Sequence, residues 1–291
     1  MSRRFPERLL LPRLAALVSA VPAARSGGDD GIHRARVASR RLREVVPVVD
    51  GAGPDARRAR RAVRRVTRAL GPVRELDVSL QVYTALNLQP PLLAPADAAV
   101  RLALTRARAR AFREASAAIT PARMAALSSA IEALAAARVA MPRADVLAAV
   151  AARIARRTRA LSRALDDAGT MYAPERLHAV RIAAKRLRYA LEVGGDVRWG
   201  PTAARRRVLR GVQDLLGELH DLQVLASLVG EVETRLVTRS RAAARDLDRL
   251  VGHLDRLCRG LHARFVSGRS TLRTLASQLG AVTGRQGGGR R

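Results

Sequence analysis

The chain contains the same basic segment twice. "IHRARVASRRLR" at 32–43 returns as "LHAVRIAAKRLR" at 177–188. His33 aligns with His178 at an offset of 145, and "ALGPVRELDV" (69–78) aligns with "LLGELHDLQV" (215–224) at an offset of 146. "RRAVRRV" (60–66) falls on "RRVLRGV" (206–212) at that second offset. Segments held in register over so long a span read as two copies of one unit, so the fold has to satisfy one packing pattern twice. The expected organisation is a single domain over 1–283, made of repeats at about 5–140 and 143–283, with a flexible basic tail, "GRQGGGRR", at 284–291.

The pattern within each copy is helical. Leu and Val recur at three- and four-residue spacings among Ala and Arg, both good helix formers, and no useful strand alternation occurs. Gly and Pro mark the breaks. Helices are expected at 6–20, 31–49, 54–70, 73–87, 96–118 and 121–139, then at 143–167, 174–193, 201–216, 219–237, 240–266 and 269–282. The fold class is therefore all-α, with the two halves related by a pseudo-two-fold axis.

The opening "MSRRFPERLLLPRLAALVSAVPAAR" has the early arginines and apolar stretch of an export signal. Pro12 and Arg13 interrupt that stretch, and Glu7 sits in the basic region. The repeat places 6–20 on the start of the 143–167 helix, so the expectation is structure rather than a leader. No run reaches the ~18 apolar residues of a spanning helix.

Charge limits the partner. The 291 residues include 54 basic and 25 acidic ones, a formal net charge of +29, and the only Lys is Lys185. Hydrophobic content of 48% is that of a globular chain, so this charge does not imply disorder. It favours a polyanion: nucleic acid, an anionic membrane or a phosphate polymer. Three Phe, three Tyr and one Trp offer little for base stacking, which argues against a single-stranded nucleic-acid binder. A single cysteine, Cys258, rules out an intrachain disulfide framework and fits a reducing cytoplasm.

On a helical wheel with His33 at zero, Arg36, Arg40 and Arg43 share with it an arc of about 80°, spread over roughly 15 Å of axis. Leu42 lies opposite, flanked by Val45, Val46 and Val49. The second copy sets His178, Arg181, Lys185 and Arg188 opposite Leu187 and Leu191, with Arg41 and Arg186 to the side. In the next helix Arg57, Arg61, Arg64 and Arg68 fall within about 60°, with Arg60 alongside, and its counterpart carries Arg206, Arg207 and Arg210. A solvated face normally mixes signs at i,i+4, whereas these stack like charges, which costs a few tenths of a kcal/mol per pair. Four such stripes make a poor solvated surface and a sensible anion site. Neighbouring arginines are expected to depress the pKa of each His, and a bound anion to raise it. Neither His has a second His or carboxylate at zinc-ligand spacing on its face, so no metal or other cofactor is expected.

The duplicated His-x-x-Arg-x-x-x-(Lys/Arg)-Arg-Leu-Arg, each copy followed by "LG…L(R/H)(D/E)L", resembles the CHAD domain, the conserved-histidine α-helical domain. "HAVRIAAKRLRYALE" (178–192) is a close match; "HRARVASRRLREVV" (33–46) has Arg40 for Lys and Glu44 where the second copy has Tyr189. The resemblance covers roughly 5–280. It implies two helical bundles about a pseudo-two-fold axis with a basic central cleft or pore, binding of long-chain inorganic polyphosphate, and a cytoplasmic location at polyphosphate granules. Carried over by motif, the ligands are His33, Arg36, Arg40, Arg41 and Arg43 with His178, Arg181, Lys185, Arg186 and Arg188. The wheel adds Arg57, Arg60, Arg61 and Arg64, and Arg206, Arg207 and Arg210. Asp77 and Gln223, at equivalent positions, make the halves chemically unequal. The Glu-x-Glu-x-Lys signature of the CYTH triphosphatase domain, often fused to this family, has no counterpart; "EVETR" (231–235) ends in Arg within a helical segment.

No catalytic residue is expected. Phosphoryl transfer calls for a carboxylate-held metal and a positioned nucleophile. The nearest acids, Glu44, Glu192, Glu75, Asp77 and Asp221, read more simply as partners that orient arginines. The P-loop pattern is absent. The alternatives to polyphosphate binding are a nonspecific nucleic-acid binder, whose electrostatics are similar at low salt, and a metal-dependent polyphosphatase.

Overall fold

The structure, a computed structural model, describes residues 5–49, 53–200 and 202–287. Among these residues every regular element is an α-helix: α1 (Phe5–Arg25), α2 (Asp29–Val45), α3 (Pro54–Ala85), α4 (Ala94–Ala118), α5 (Pro121–Ala137), α6 (Arg143–Ala168), α7 (Pro174–Asp196), α8 (Ala203–Leu236) and α9 (Arg241–Gly287). No helix is long and apolar enough to cross a membrane among the described residues.

The packing order of the first half recurs in the second. α1 lies on α2, α2 on α3, and α3 on α4 and α5; likewise α6 lies on α7, α7 on α8, and α8 on α9. α5 returns to α1, as α9 returns to α6. The halves meet through α3 against α8 and α2 against α7, the helices that carry the charged stripes, and also through α4 against α8 and α9. Leu10, Leu17, Ile32 and Leu42 are wholly buried. Each contributes about 1.5–3 kcal/mol over exposure. α1 is thus part of the core rather than a peripheral segment.

Three expected breaks are absent. Gly71–Pro72, Gly217 and Gly268 lie inside α3, α8 and α9. Pro72 lacks the N–H that would reach back one turn, and each glycine weakens a helix by about 1 kcal/mol. The apolar stripe nevertheless runs through each break: Val66, Leu70 and Val73 in α3, Leu216, Leu219 and Leu222 in α8, and Leu261, Phe265 and Leu272 in α9 are all buried. Burial along a continuous face outweighs local propensity. The halves differ where α4 and α5 correspond to the single helix α9. Pro121 ends the helix before it, and the Thr120 hydroxyl caps α5 by accepting from the Arg123 N–H. The register puts Val266 and Ser267 at those positions, so nothing interrupts α9. α9 continues through Gly287, and residues 288–291 of the expected tail lie outside the described residues.

The turn between α1 and α2 is tight. Gly27 has φ of +83°, a left-handed conformation suited to glycine. A Cβ on Gly31 would overlap the Ala23 carbonyl and come within 2.6 Å of the Ala24 nitrogen. Gly31→Ala is therefore expected to wedge the helices apart and cost about 1–3 kcal/mol, read as a lower urea midpoint at unchanged slope.

Candidate anion-binding site

Because α2 and α7 pack against each other, their charged faces meet. A cavity of about 1130 Å³ opens there, walled by His33, Arg36 and Arg40 from α2 and by Arg181, Lys185 and Arg188 from α7. α3 adds Arg74 and Glu75, α8 adds Asp214, Glu218, His220 and Asp221, and α9 adds Arg256 and Arg264.

The centre of the cluster is charged beyond what its surroundings satisfy. Burial pushes the Lys185 ammonium down to about 6, with Arg40, Arg181 and Arg36 adding repulsion. Burial also lowers Arg36 to about 9, with Arg40 the next cause. Arg181 is lowered by burial, against an opposing pull from Asp221. The Nε groups of Arg36 and Arg181 are buried without a hydrogen-bond partner. A buried donor left unmade costs about 1–3 kcal/mol, more when charged, and an anion in the cavity would offset the repulsion among the cations.

A family model of the CHAD domain matches residues 8–230. The chain belongs to the CHAD domain family. No curated protein matches it. Among solved structures it is similar to the crystal structure of the CHAD domain from the plant Ricinus communis, with a TM-score of 0.57 and 19% identity over 96% of this chain and 93% of that one. At that identity the likeness speaks for the fold alone.

This CHAD chain does not gather all the residues singled out in the sequence. His33, Arg36, Arg40, Arg181, Lys185 and Arg188 line the central cavity. His178 stands beside it, with its Nδ1 3.3 Å from that of His220. Arg41, Arg206 and Arg210 line a neighbouring recess with Arg13, Glu192 and Asp196, and His33 and Arg188 border both spaces. Arg43, Arg60, Arg64 and Arg186 line a third recess, around Glu44. Arg57, Arg61 and Arg207 are exposed and line none of the three. The four stripes thus do not converge on one point: the α2 and α7 stripes meet except for Arg43 and His178, and the arginines at the start of α3 and α8 lie elsewhere.

Of the five acidic residues near the stripes, Glu44, Glu192 and Asp77 hold arginines, whereas Glu75 pairs with His220. Glu44 accepts from Arg153 Nε at 2.6 Å and from Arg157, both on α6. Glu192 accepts from Arg188 at 2.5 Å and from Arg41 across the halves at 3.3 Å. Asp77 is buried against Arg108, while Gln223, its counterpart, donates to the Tyr172 hydroxyl at 3.1 Å.

Both histidines are lowered from their ordinary value, as expected, but the order of causes differs. Burial comes first for each; Arg74 is next for His33, and His220 is next for His178. His220 Nε2 lies 3.0 Å from Glu75 Oε1, and that bond holds Glu75 below its usual range. His220 was legible in principle. It falls on Arg74 at the 146 offset, so extending the wheel past Gly71 and Gly217 places both on the cavity side. Arg256 and Arg264, two turns apart on α9, carried no signal beyond ordinary surface charge.

Proposed function

We propose that this chain is a non-catalytic binding module for long-chain inorganic polyphosphate, seated in the cavity between α2 and α7, and that it works in the cytoplasm at polyphosphate granules. The observation that carries the reading is the meeting of Arg36, Arg40, Arg181 and Lys185 from two repeated helices, with the Nε–H groups of Arg36 and Arg181 buried and unpartnered. Arginine forks donate paired hydrogen bonds to phosphate oxygens, and a flexible polymer of identical anions can follow such a wall without base readout. The concave setting between halves suits a thin chain better than a duplex. Two related helical bundles, 1–283 as one domain, explain why the basic helix is made twice: each copy supplies one wall.

The test is binding of long-chain polyphosphate at near-physiological salt with excess duplex DNA as competitor. Retention of polyphosphate supports the reading; displacement by modest DNA makes the surface a general polyanion binder. Release of phosphate on adding Mg²⁺ or Mn²⁺ would instead favour a polyphosphatase.

Lys185 supplies a pH signature. With its ammonium pushed down to about 6, the amine is mostly neutral at pH 8, and a bound anion restores its proton. Polyphosphate affinity is expected to rise as pH falls from about 9 to 6, with proton uptake visible by calorimetry in buffers of different ionisation enthalpy. Lys185→Met should remove most of that dependence. The stability consequence has the opposite sense. Between about 6 and the ordinary 10.5 the unfolded chain binds the extra proton, so this group's contribution to stability grows as pH rises through that window.

A further inference from the structure

The central cavity is not cationic throughout. One wall is apolar: α3 supplies Val78, Val82 and Leu86, α9 supplies Leu257 and Leu261, and α8 supplies Leu222. The α3 residues are spaced four apart and so share one face of the helix. They begin just beyond Glu75, which lies within electrostatic reach of Arg36 and Arg181. At 1.5 Å per residue the stripe runs from about 4 to about 16 Å past Glu75 along the axis, away from the cationic cluster.

The repeat register gives an internal comparison. α4 packs on α8, whereas the equivalent helices, α9 and α3, stand on either side of the cavity. Ala111 of α4 is 8% exposed; Leu257, its counterpart on α9, is 38% exposed. Val78, Val82 and Leu86 are half-buried. A large apolar side chain thus faces open space at the position where a small one is covered. Inorganic polyphosphate has no apolar surface to set against that wall, and a chain that displaces its water would gain from doing so. On the α8 side Asp214, Glu218 and Asp221 repel an anion and keep it toward α2 and α7.

We propose that the central cavity accepts an amphiphile with one alkyl chain and a phosphate head, the head beside Arg36, Arg181 and Lys185 and the chain along the wall between α3 and α9. This rests on the anion-binding part of the reading above and adds an apolar half to the ligand. Lined by five helices, the cavity takes a single chain from solution and not the surface of a bilayer.

The test is calorimetric titration of the full chain with inorganic phosphate and with hexyl, octyl and decyl phosphate, each below its micelle concentration. Affinity is expected to rise up to about fourfold per methylene, the value of burying one, and decyl phosphate should bind at least a hundredfold tighter than inorganic phosphate. Val82→Asn with Leu257→Asn should flatten the series and leave long-chain polyphosphate binding unchanged. Arg36→Gln with Arg181→Gln should weaken decyl phosphate and polyphosphate together. A flat series in the wild-type chain, or a rising one that Val82→Asn with Leu257→Asn leaves intact, would overturn the proposal. So would decyl phosphate binding that Arg36→Gln with Arg181→Gln does not alter, or decyltrimethylammonium binding as tightly as decyl phosphate. Should the apolar double variant fold poorly, Leu257→Asn alone, on an exposed residue, is expected to weaken decyl phosphate at least fivefold at an unchanged melting temperature; an unchanged affinity counts against the proposal. Polyphosphate binding with a flat series removes this inference and keeps the polyphosphate reading. A rising series that the apolar variant flattens, in a chain that does not bind polyphosphate, keeps the amphiphile and removes polyphosphate as the ligand.

Discussion

Arg36→Ala combined with Arg181→Ala is expected to weaken long-chain polyphosphate binding by at least about a hundredfold while leaving the helical signal intact. The two guanidinium groups face each other from α2 and α7, and each has a buried Nε without a partner. Removing one charged hydrogen bond costs about 1.5–3 kcal/mol, so two cost about 3–6 kcal/mol, or two to four powers of ten in affinity. The control is Arg57→Ala with Arg61→Ala, which takes away equal charge from an exposed face outside all three cavities. Its effect should be a few-fold and should vanish as salt rises. Equal losses in both double variants would mean that total charge, not the cavity, holds the polymer. Folding should not suffer in the cavity variant. Repulsion among Arg36, Arg40, Arg181 and Lys185 opposes the fold, so relieving it should hold or raise the melting temperature.

Glu44→Ala is expected to cost about 3–5 kcal/mol of stability, the range for removing one partner of a buried ion pair. The Glu44 and Arg153 side chains are 5% and 10% exposed, and Arg157 sits on the same carboxylate. Without Glu44, Arg153 stays buried among Arg157 and Arg186 with nothing to answer it. Urea denaturation monitored by circular dichroism would read the loss. Glu231→Ala removes a carboxylate from an exposed pair with Arg235 and should change stability by less than about 0.5 kcal/mol. A loss under 1 kcal/mol for Glu44→Ala would mean that Arg153 reaches water when released, and that the recess tolerates its cations alone.

Helix type, the duplication and the angular position of each stripe were legible because they depend on local periodicity. A wheel places His33, Arg36 and Arg40 on one face whatever surrounds the helix. Their counterparts His178, Arg181 and Lys185 follow from the repeat. Gly71, Gly217 and Gly268 look like helix ends when only the local cost of glycine and proline is weighed. The buried Leu and Val on either side, which carry the helix across, act only once a neighbouring helix covers them.

The sequence by itself determined an all-helical chain of two like halves, each presenting a cationic stripe opposite an apolar one, since charge and period-3.6 burial are properties of one helix at a time. Tertiary structure decided which stripes meet. It set α2 against α7 and so brought Arg40 to Lys185; it sent Arg57, Arg61 and Arg207 to the outer surface; it carried Arg153 and Arg157 from α6 to Glu44, more than a hundred residues away. The reason is that a wheel fixes direction around an axis, whereas the partner across a cavity depends on how helices distant in sequence cross. That crossing is governed by the summed burial of all their apolar faces, and no local pattern encodes it.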